Sequence, residues 1–309
     1  MVSLAWVDIR TAPPVGEPLG LITGYAGATV EVSDLDRAAR FYSGLLDLGN
    51  AERIPEGILL HVNQTQALTL VDRASPRTFP GTGVHQAYTL PAPDLDAALT
   101  RLAVAGVAVH THHEDREVER QQNRYCDDPD GNRVQLVKAS SAGVDHVAVE
   151  TNDIEWAEVF YTQVLGARVE LRVGWRMDDF AGAWAWGNGA DECAPGTRRW
   201  DTLYTEDKAR VPRPNAQLFV RFADGVTLGI YIATEHRQEA PRGLHDGTPS
   251  IAFWVNPGHL GELERRLCEI RLRCMGTSDR FPGPYVREGN TLYVRDTGGN
   301  FLQFREGPR

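Results

Sequence analysis

Cysteine is scarce in this sequence: Cys126, Cys193, Cys268 and Cys274 are the only four in 309 residues, with no CxxC and no paired spacing. A disulfide framework or a cysteine-rich zinc fold is therefore excluded as the source of stability, leaving buried or free thiols. No apolar run approaches the roughly 20 residues that a membrane-spanning helix takes. Positive charge is also short, with 32 Lys and Arg against 42 Asp and Glu, for a net charge of −10 and a pI near 5.4. That balance argues against a phosphate-backbone partner, so neither nucleic acid nor membrane is expected. The stretch Met1 to Pro18 has no basic start and no apolar run of signal length. It reads as part of an N-terminal extension, residues 1–20, on a cytoplasmic protein. A P-loop, a GxGxxG at a strand–helix junction, a GxSxG elbow and an HExxH helix are all missing.

What the chain does contain is repetition. VEVSDLDRAARFYSGLL, from Val30 to Leu46, lies over VETNDIEWAEVFYTQVL, from Val149 to Leu165, so that Asp34 meets Asp153 and Phe41-Tyr42 meets Phe160-Tyr161. HQAYTLPAPDLDAALTRL, from His85, likewise lies over SIAFWVNPGHLGELERRL, from Ser250. The ends of those two units also match, Tyr125 to Val137 against Tyr293 to Phe304. A duplication is the simplest account. Its halves span 21–139 and 144–309 and are joined by the small-residue stretch Ala139 to Gly143.

Each half divides again. Every unit opens on an alternating apolar strand such as Ala28 to Val32 or His146 to Val149. A helix follows, with Asp34 and Asp153 placed as N-caps and Leu35, Ala38, Tyr42 and Leu45 forming one apolar stripe. Two turns, Asp128-Pro129-Asp130-Gly131-Asn132 and Asp296-Thr297-Gly298-Gly299-Asn300, supply the Pro and Gly dihedrals of tight connections. The order predicted is βαβββ, four times over, in an α+β fold. The modules run 24–72, 82–138, 144–234 and 245–305. The third carries an insertion over 171–215 that holds Trp175, Trp184, Trp186 and Trp200. Those tryptophans would either stack on a flat ligand or pack the insertion onto its own domain.

A strand ending in Asp ahead of Phe-Tyr, a Leu165-Gly166 step and a closing D-x-x-G-N turn together resemble the vicinal oxygen chelate superfamily. Glyoxalase I, bleomycin- and fosfomycin-resistance proteins and extradiol dioxygenases belong to it. The resemblance implies paired modules whose sheets curl into two half-barrel cups with helices outside. It also implies metal ligands pointing inward from the first and last strand of each module. Carried onto this sequence, the first-strand positions are Gly27, His85, His146 and Ser250. The last-strand positions, usually Glu in the family, are Thr69, Gln135, Gly229 and Gln303. Two histidines remain and no carboxylate.

The consequence depends on which modules share a cup. Pairing one with two and three with four gives each cup one His and one Gln, a poor site for a cation. Pairing two with three and one with four brings His85, Gln135 and His146 together and leaves the other cup without ligands. The sequence admits both. The loss of carboxylates favours no cofactor and a small aromatic or polyketide-like ligand, held among Gln135, Gln303, Trp175, Trp184, Trp186 and Trp254, as in a bleomycin-resistance-type binder or a metal-free enzyme. The alternative is a divalent ion (Fe, Zn, Ni or Mn) on His85, His146 and Gln135. It would serve an extradiol-type dioxygenase or a glyoxalase-type lyase or isomerase. His85, His146, Tyr125, Tyr293 and His245 are the candidates for acid–base work. A chain that completes its own cups can be a monomer or a homodimer.

Overall fold

The computed structural model describes residues 19–79, 83–110, 123–151, 154–173, 175–178, 183–186, 217–232, 249–274 and 285–307. Module one runs β1 (Ile22–Val32), α1 (Leu35–Ala39), β2 (Ala51–Ile54), β3 (Gly57–His61) and β4 (Ala67–Asp72). Module two has β5 (His85–Leu90), α2 (Ala92–Val104), β6 (Asn123–Asp127) and β7 (Arg133–Lys138). Its remaining strand is represented among the described residues by one antiparallel bridge, His110 to Tyr125. Module three follows with β8 (Gly143–Thr151), α3 (Ile154–Val159), β9 (Arg168–Val173), the hairpin β10 (Trp175–Asp178) and β11 (Ala183–Trp186), then β12 (Gln217–Arg221) and β13 (Thr227–Ile232). Module four is β14 (Ser250–Val255), α4 (Leu260–Cys274), β15 (Tyr285–Glu288), β16 (Thr291–Arg295) and β17 (Phe301–Glu306).

The helices form where the local chemistry calls for them. Asp34 sits in extended geometry, and its carboxylate accepts the Arg37 amide at 2.9 Å, satisfying one of the free donors at the start of α1. In α2 the buried Leu95, Ala98 and Leu102 recur at three- and four-residue spacing and make the stripe that packs on the sheet. The helices of modules one and three share an irregularity the sequence does not announce. Each passes into a π-helical turn, Arg40–Leu45 and Phe160–Val164, in which the amides of Leu46 and Leu165 bond to the carbonyls of Phe41 and Phe160.

That widened turn aims a tyrosine at a turn far away in sequence. Tyr42 donates its hydroxyl to Asp128 Oδ2 at 3.0 Å, and Tyr161 donates to Asp296 Oδ2 at 2.6 Å. Both aspartates are buried, and each organises its D-x-x-G-N turn. The Oδ1 of Asp128 accepts the amides of Asp130 and Asn132, and that of Asp296 accepts those of Gly298 and Asn300. The two asparagines extend the network, reaching the carbonyls of Glu31 and Glu150 at 3.0 and 2.9 Å. Burial pushes the Asp128 carboxyl above the usual range, against the pull of these hydrogen bonds. The duplicated sequence thus builds the same buried lock twice, each bond worth about 1 kcal/mol net and more if one partner is left unmatched.

The strands fall into two large open sheets with the order β15-β16-β17-β14-β1-β4-β3-β2 and β6-β7-β5-β8-β13-β12-β9, besides the β10–β11 ribbon. Modules one and four therefore contribute to one sheet and modules two and three to the other. By compactness the described residues fall into two units. One is drawn from Tyr25–Val147 with Asp246–Phe253, and the other from Met1–Gly24, Ala148–His245 and Trp254–Arg309. In the first unit, alternate residues of β1, β3, β4, β5 and β7 (Val30, Leu60, Leu70, Tyr88 and Leu136 among them) join Phe41, Tyr42 and Leu102 in one apolar core under the helices. The opposite face of those strands carries the polar positions discussed next.

Candidate functional site

Four neighbouring strands bring the candidate residues together. On β5, Tyr88 and Leu90 enter the core, so His85 and Ala87 face the other way. The parallel register of β5 and β7 sets Ala87 opposite Gln135, and the antiparallel register of β6 and β7 sets Tyr125 opposite the same glutamine. His146, on β8 beside β5, completes the group. The Nε2 atoms of His85 and His146 lie 2.9 Å apart with their rings nearly perpendicular, and Tyr125 presents its ring edge-to-face to His85 at 5.7 Å.

The partners of the other ring nitrogens fix the tautomers. His85 Nδ1 lies 2.7 Å from the carbonyl oxygen of Gly83, which can only accept, so Nδ1 carries the proton. His146 Nδ1 lies 2.7 Å from Asp145 Oδ2, a carboxylate, with the same consequence. In their neutral forms both imidazoles therefore turn a lone pair toward the other. Burial, reinforced by His146, holds His85 at a pKa of about 3, so it is neutral at physiological pH. Two facing acceptors at 2.9 Å need a positive charge between them, either a proton carried by His146 or a cation.

Gln135 adds a third acceptor. It is 3% exposed, and its Oε1 is buried with no hydrogen bond of ordinary length, while its side chain lies close enough to bear on the His85 ring. A buried amide oxygen in that state is costly unless something supplies positive charge. The donor set of two imidazole nitrogens and one carbonyl-type oxygen suits a borderline divalent ion such as Zn, Fe, Ni or Mn. At bond lengths of about 2.0–2.1 Å the 2.9 Å separation matches two ligand atoms about 90° apart on an octahedral ion, whereas a tetrahedral ion would set them about 3.3 Å apart. The residues fit such an ion. Counting only His, Cys, Asp and Glu, no group of three or more that could hold one occurs among the described residues, so the site depends on the glutamine.

The corresponding positions of the other modules look different. At Gly27, on β1, an added Cβ would stand 2.1 Å from the carbonyl oxygen of Ala67, so no side chain can project there. Thr69 pairs with Thr29 across β1 and β4, and Ser250 is buried at the start of β14. Gln303 lies opposite Tyr293 on β16 and β17, and its Oε1 accepts from Arg305 at 2.7 Å. Gly229, on β13, has the Tyr231 and Phe219 rings over the place where a Cβ would sit. Trp254 is partly buried, with its indole near Gly24 and its carbonyl accepting from Thr23. The backbones of Trp175, Trp184 and Trp186 pair in the β10–β11 ribbon, but their side chains, and all of His245, Trp200 and Asp153, lie outside the described residues.

Two contributors escape a reading of the sequence. Asp145 is visible there only as the neighbour of His146, and its role depends on the side chain folding back onto Nδ1. Gly83 contributes a backbone carbonyl, which no side-chain pattern records.

Comparison with known proteins agrees with this architecture. Residues 25–136 match the family model of the Glyoxalase/Bleomycin resistance protein/Dioxygenase superfamily. No curated protein matches the sequence. Among solved structures, a candidate dioxygenase from Bacillus subtilis superposes with a TM-score of 0.55 at 14% identity, covering 94% of this chain and 86% of that one. Glyoxalase I from Zea mays superposes with a TM-score of 0.54 at 16% identity, covering 91% and 92%. At such identities the likeness establishes the fold and leaves the chemistry to the site.

Proposed function

We propose that this chain, whose residues 25–136 match the Glyoxalase/Bleomycin resistance protein/Dioxygenase superfamily model, is a metal-dependent enzyme acting on a small molecule through a divalent ion held by His85, His146 and Gln135. One observation carries the reading: the Nε2 lone pairs of two histidines converge at 2.9 Å beside a buried amide oxygen with no hydrogen bond of ordinary length. When bound, the ion supplies Lewis-acid polarisation of adjacent substrate oxygens, the chemistry shared by lyases, isomerases and ring-cleaving dioxygenases on this fold.

The protein's own groups prepare the site. The Gly83 carbonyl locks the His85 ring, and the Asp145 carboxylate orients His146, as an outer partner does in carboxylate–histidine pairs. His146 keeps 18% of its side chain exposed whereas His85 is buried, so a small molecule approaches from the His146 side. The Tyr125 ring braces His85 from the remaining side. The competing reading, a metal-free binder of a flat aromatic, is favoured by the missing carboxylates; in it His146 would donate a proton from Nε2 to His85.

Metal analysis of protein purified without chelator tests the choice, with His85→Ala and His146→Ala in parallel. Stoichiometric metal in the parent, lost in both folded variants, is the expected result. Metal-free protein that takes up no added Zn or Co, and whose tryptophan fluorescence is quenched by planar aromatics, would overturn it in favour of the binder.

A further inference from the structure

Resting on the site described above, we propose that module one, which supplies none of its three donors, positions His146 and Asp145 through two side chains, Gln66 and Tyr25. The Val144 amide donates to Gln66 Oε1 at 2.8 Å, and the Val147 amide donates to Tyr25 Oη at 3.2 Å. These two backbone amides flank the Asp145-His146 pair in β8. The strand is gripped immediately before and immediately after the residues whose side chains must be aimed.

Each grip is itself held in place. Asn63 Oδ1 accepts the amides of Thr65 and Gln66 at 2.9 and 3.0 Å, which closes the β3–β4 turn. Its Nδ2 donates to Gln66 Oε1 at 2.7 Å, so a second bond fixes the direction of the oxygen that meets Val144. Gly143, buried as the first residue of β8, leaves little room to spare. A Cβ there would stand 3.1 Å from Gln66 Oε1 and 3.3 Å from Asn63 Nδ2. At the other grip, the Tyr25 ring stacks on Phe253 with centroids 5.3 Å apart, and burial pushes its phenol well above the ordinary tyrosine range, so the group stays neutral.

The consequence falls on His146. Its Nδ1 lies 2.7 Å from Asp145 Oδ2, and its Nε2 lies 2.9 Å from His85 Nε2. Adjacent residues of a regular strand send their side chains to opposite faces. A 2.7 Å contact between two such neighbours therefore depends on the backbone from Val144 to Val147, the span that the two grips define. A drift of about 1 Å in a reacting group costs on the order of 100-fold in rate.

The test compares the parent with three variants. Gln66→Met keeps the length and removes the acceptor, Gln66→Glu keeps an acceptor, and Tyr25→Phe keeps the ring on Phe253. The first readout is the low-field proton NMR signal of His146 Nδ1–H bonded to Asp145, assigned by its loss in His146→Ala. The matching signal of His85 Nδ1–H bonded to Gly83 is the internal control. The second readout is Co(II) affinity by calorimetry. Gln66→Met and Tyr25→Phe should each shift or broaden the His146 signal, leave that of His85 in place and weaken Co(II) binding about tenfold, while Gln66→Glu stays within about twofold of the parent. A lower melting temperature with both readouts at the parent's values would reduce the two contacts to fold support and overturn the inference. So would a Gln66→Glu protein that behaves like Gln66→Met. A parent that takes up no Co(II) removes the metal reading, and the His146 signal then decides the positioning by itself. If Gln66→Met does not fold, Tyr25→Phe decides by the same two readouts.

Discussion

The two sheets carry equivalent positions with opposite contents. In the β5–β7–β8 region the three positions hold His85, Gln135 and His146, all presenting lone pairs that converge. Their counterparts in the other sheet are Ser250, Gln303 and Gly27, of which one is a hydroxyl, one is already engaged by Arg305 and one admits no side chain. Duplication evidently preserved the frame in both places and the chemistry in one. The lock residues make the converse point. Tyr42–Asp128 and Tyr161–Asp296 are matched bond for bond, because they hold a helix to a turn and both halves need that whatever the sheets do.

The largest effect should come from trying to erase the contrast. Gly27→His, installing the missing ligand type, places Cβ 2.1 Å from a backbone carbonyl, and β1 cannot yield without breaking its pairing with β4. A loss of more than about 3 kcal/mol, or failure to fold, is expected from urea melts followed by circular dichroism. Stable protein with a new Co(II) band would show that the difference between the sheets is superficial.

Asp145→Asn should come next. It leaves the His146 ring in place but weakens its anchoring, so Co(II) affinity should drop by about 10–100-fold with little change in melting temperature. An unchanged affinity would mean that Asp145 is only a surface neighbour of His146.

Smallest are the lock variants. Tyr42→Phe and Tyr161→Phe should each lose about 1–2 kcal/mol, and similarly so, in denaturant unfolding. The Tyr42 hydrogen bond lowers the Asp128 carboxyl, so its removal should raise that pKa further, readable by carbon NMR. Because the Asp128 pKa in the folded protein stands above its unfolded value, the variant should recover stability as pH falls through the folded pKa. Unequal losses in the two variants would show that the halves no longer share the lock.

Much of this was legible in the sequence because it is local. The Asp34 cap, the stripe of Ala38 and Tyr42 and the D-x-x-G-N turns follow from spacing and residue type over a few positions, and the repeat of those patterns revealed the modules. His85, His146 and Gln135 could be singled out by position on their strands. The π-helical turns could not, because a single extra residue per turn leaves the apolar periodicity nearly intact. The unmet hydrogen bonding of Gln135 Oε1 was equally hidden, since whether an amide oxygen is satisfied depends on neighbours from other strands.

The sequence by itself determined the number of modules, the order of their elements and the lack of a carboxylate at the ligand positions the family resemblance assigns, since local dihedral preference, burial pattern and residue chemistry are written along the chain. Tertiary structure alone decided that β5 lies beside β8 and β1 beside β14. Strand pairing joins segments far apart in sequence through backbone hydrogen bonds that any residue can make, so the chemistry of the side chains carries no record of which strand will be the neighbour.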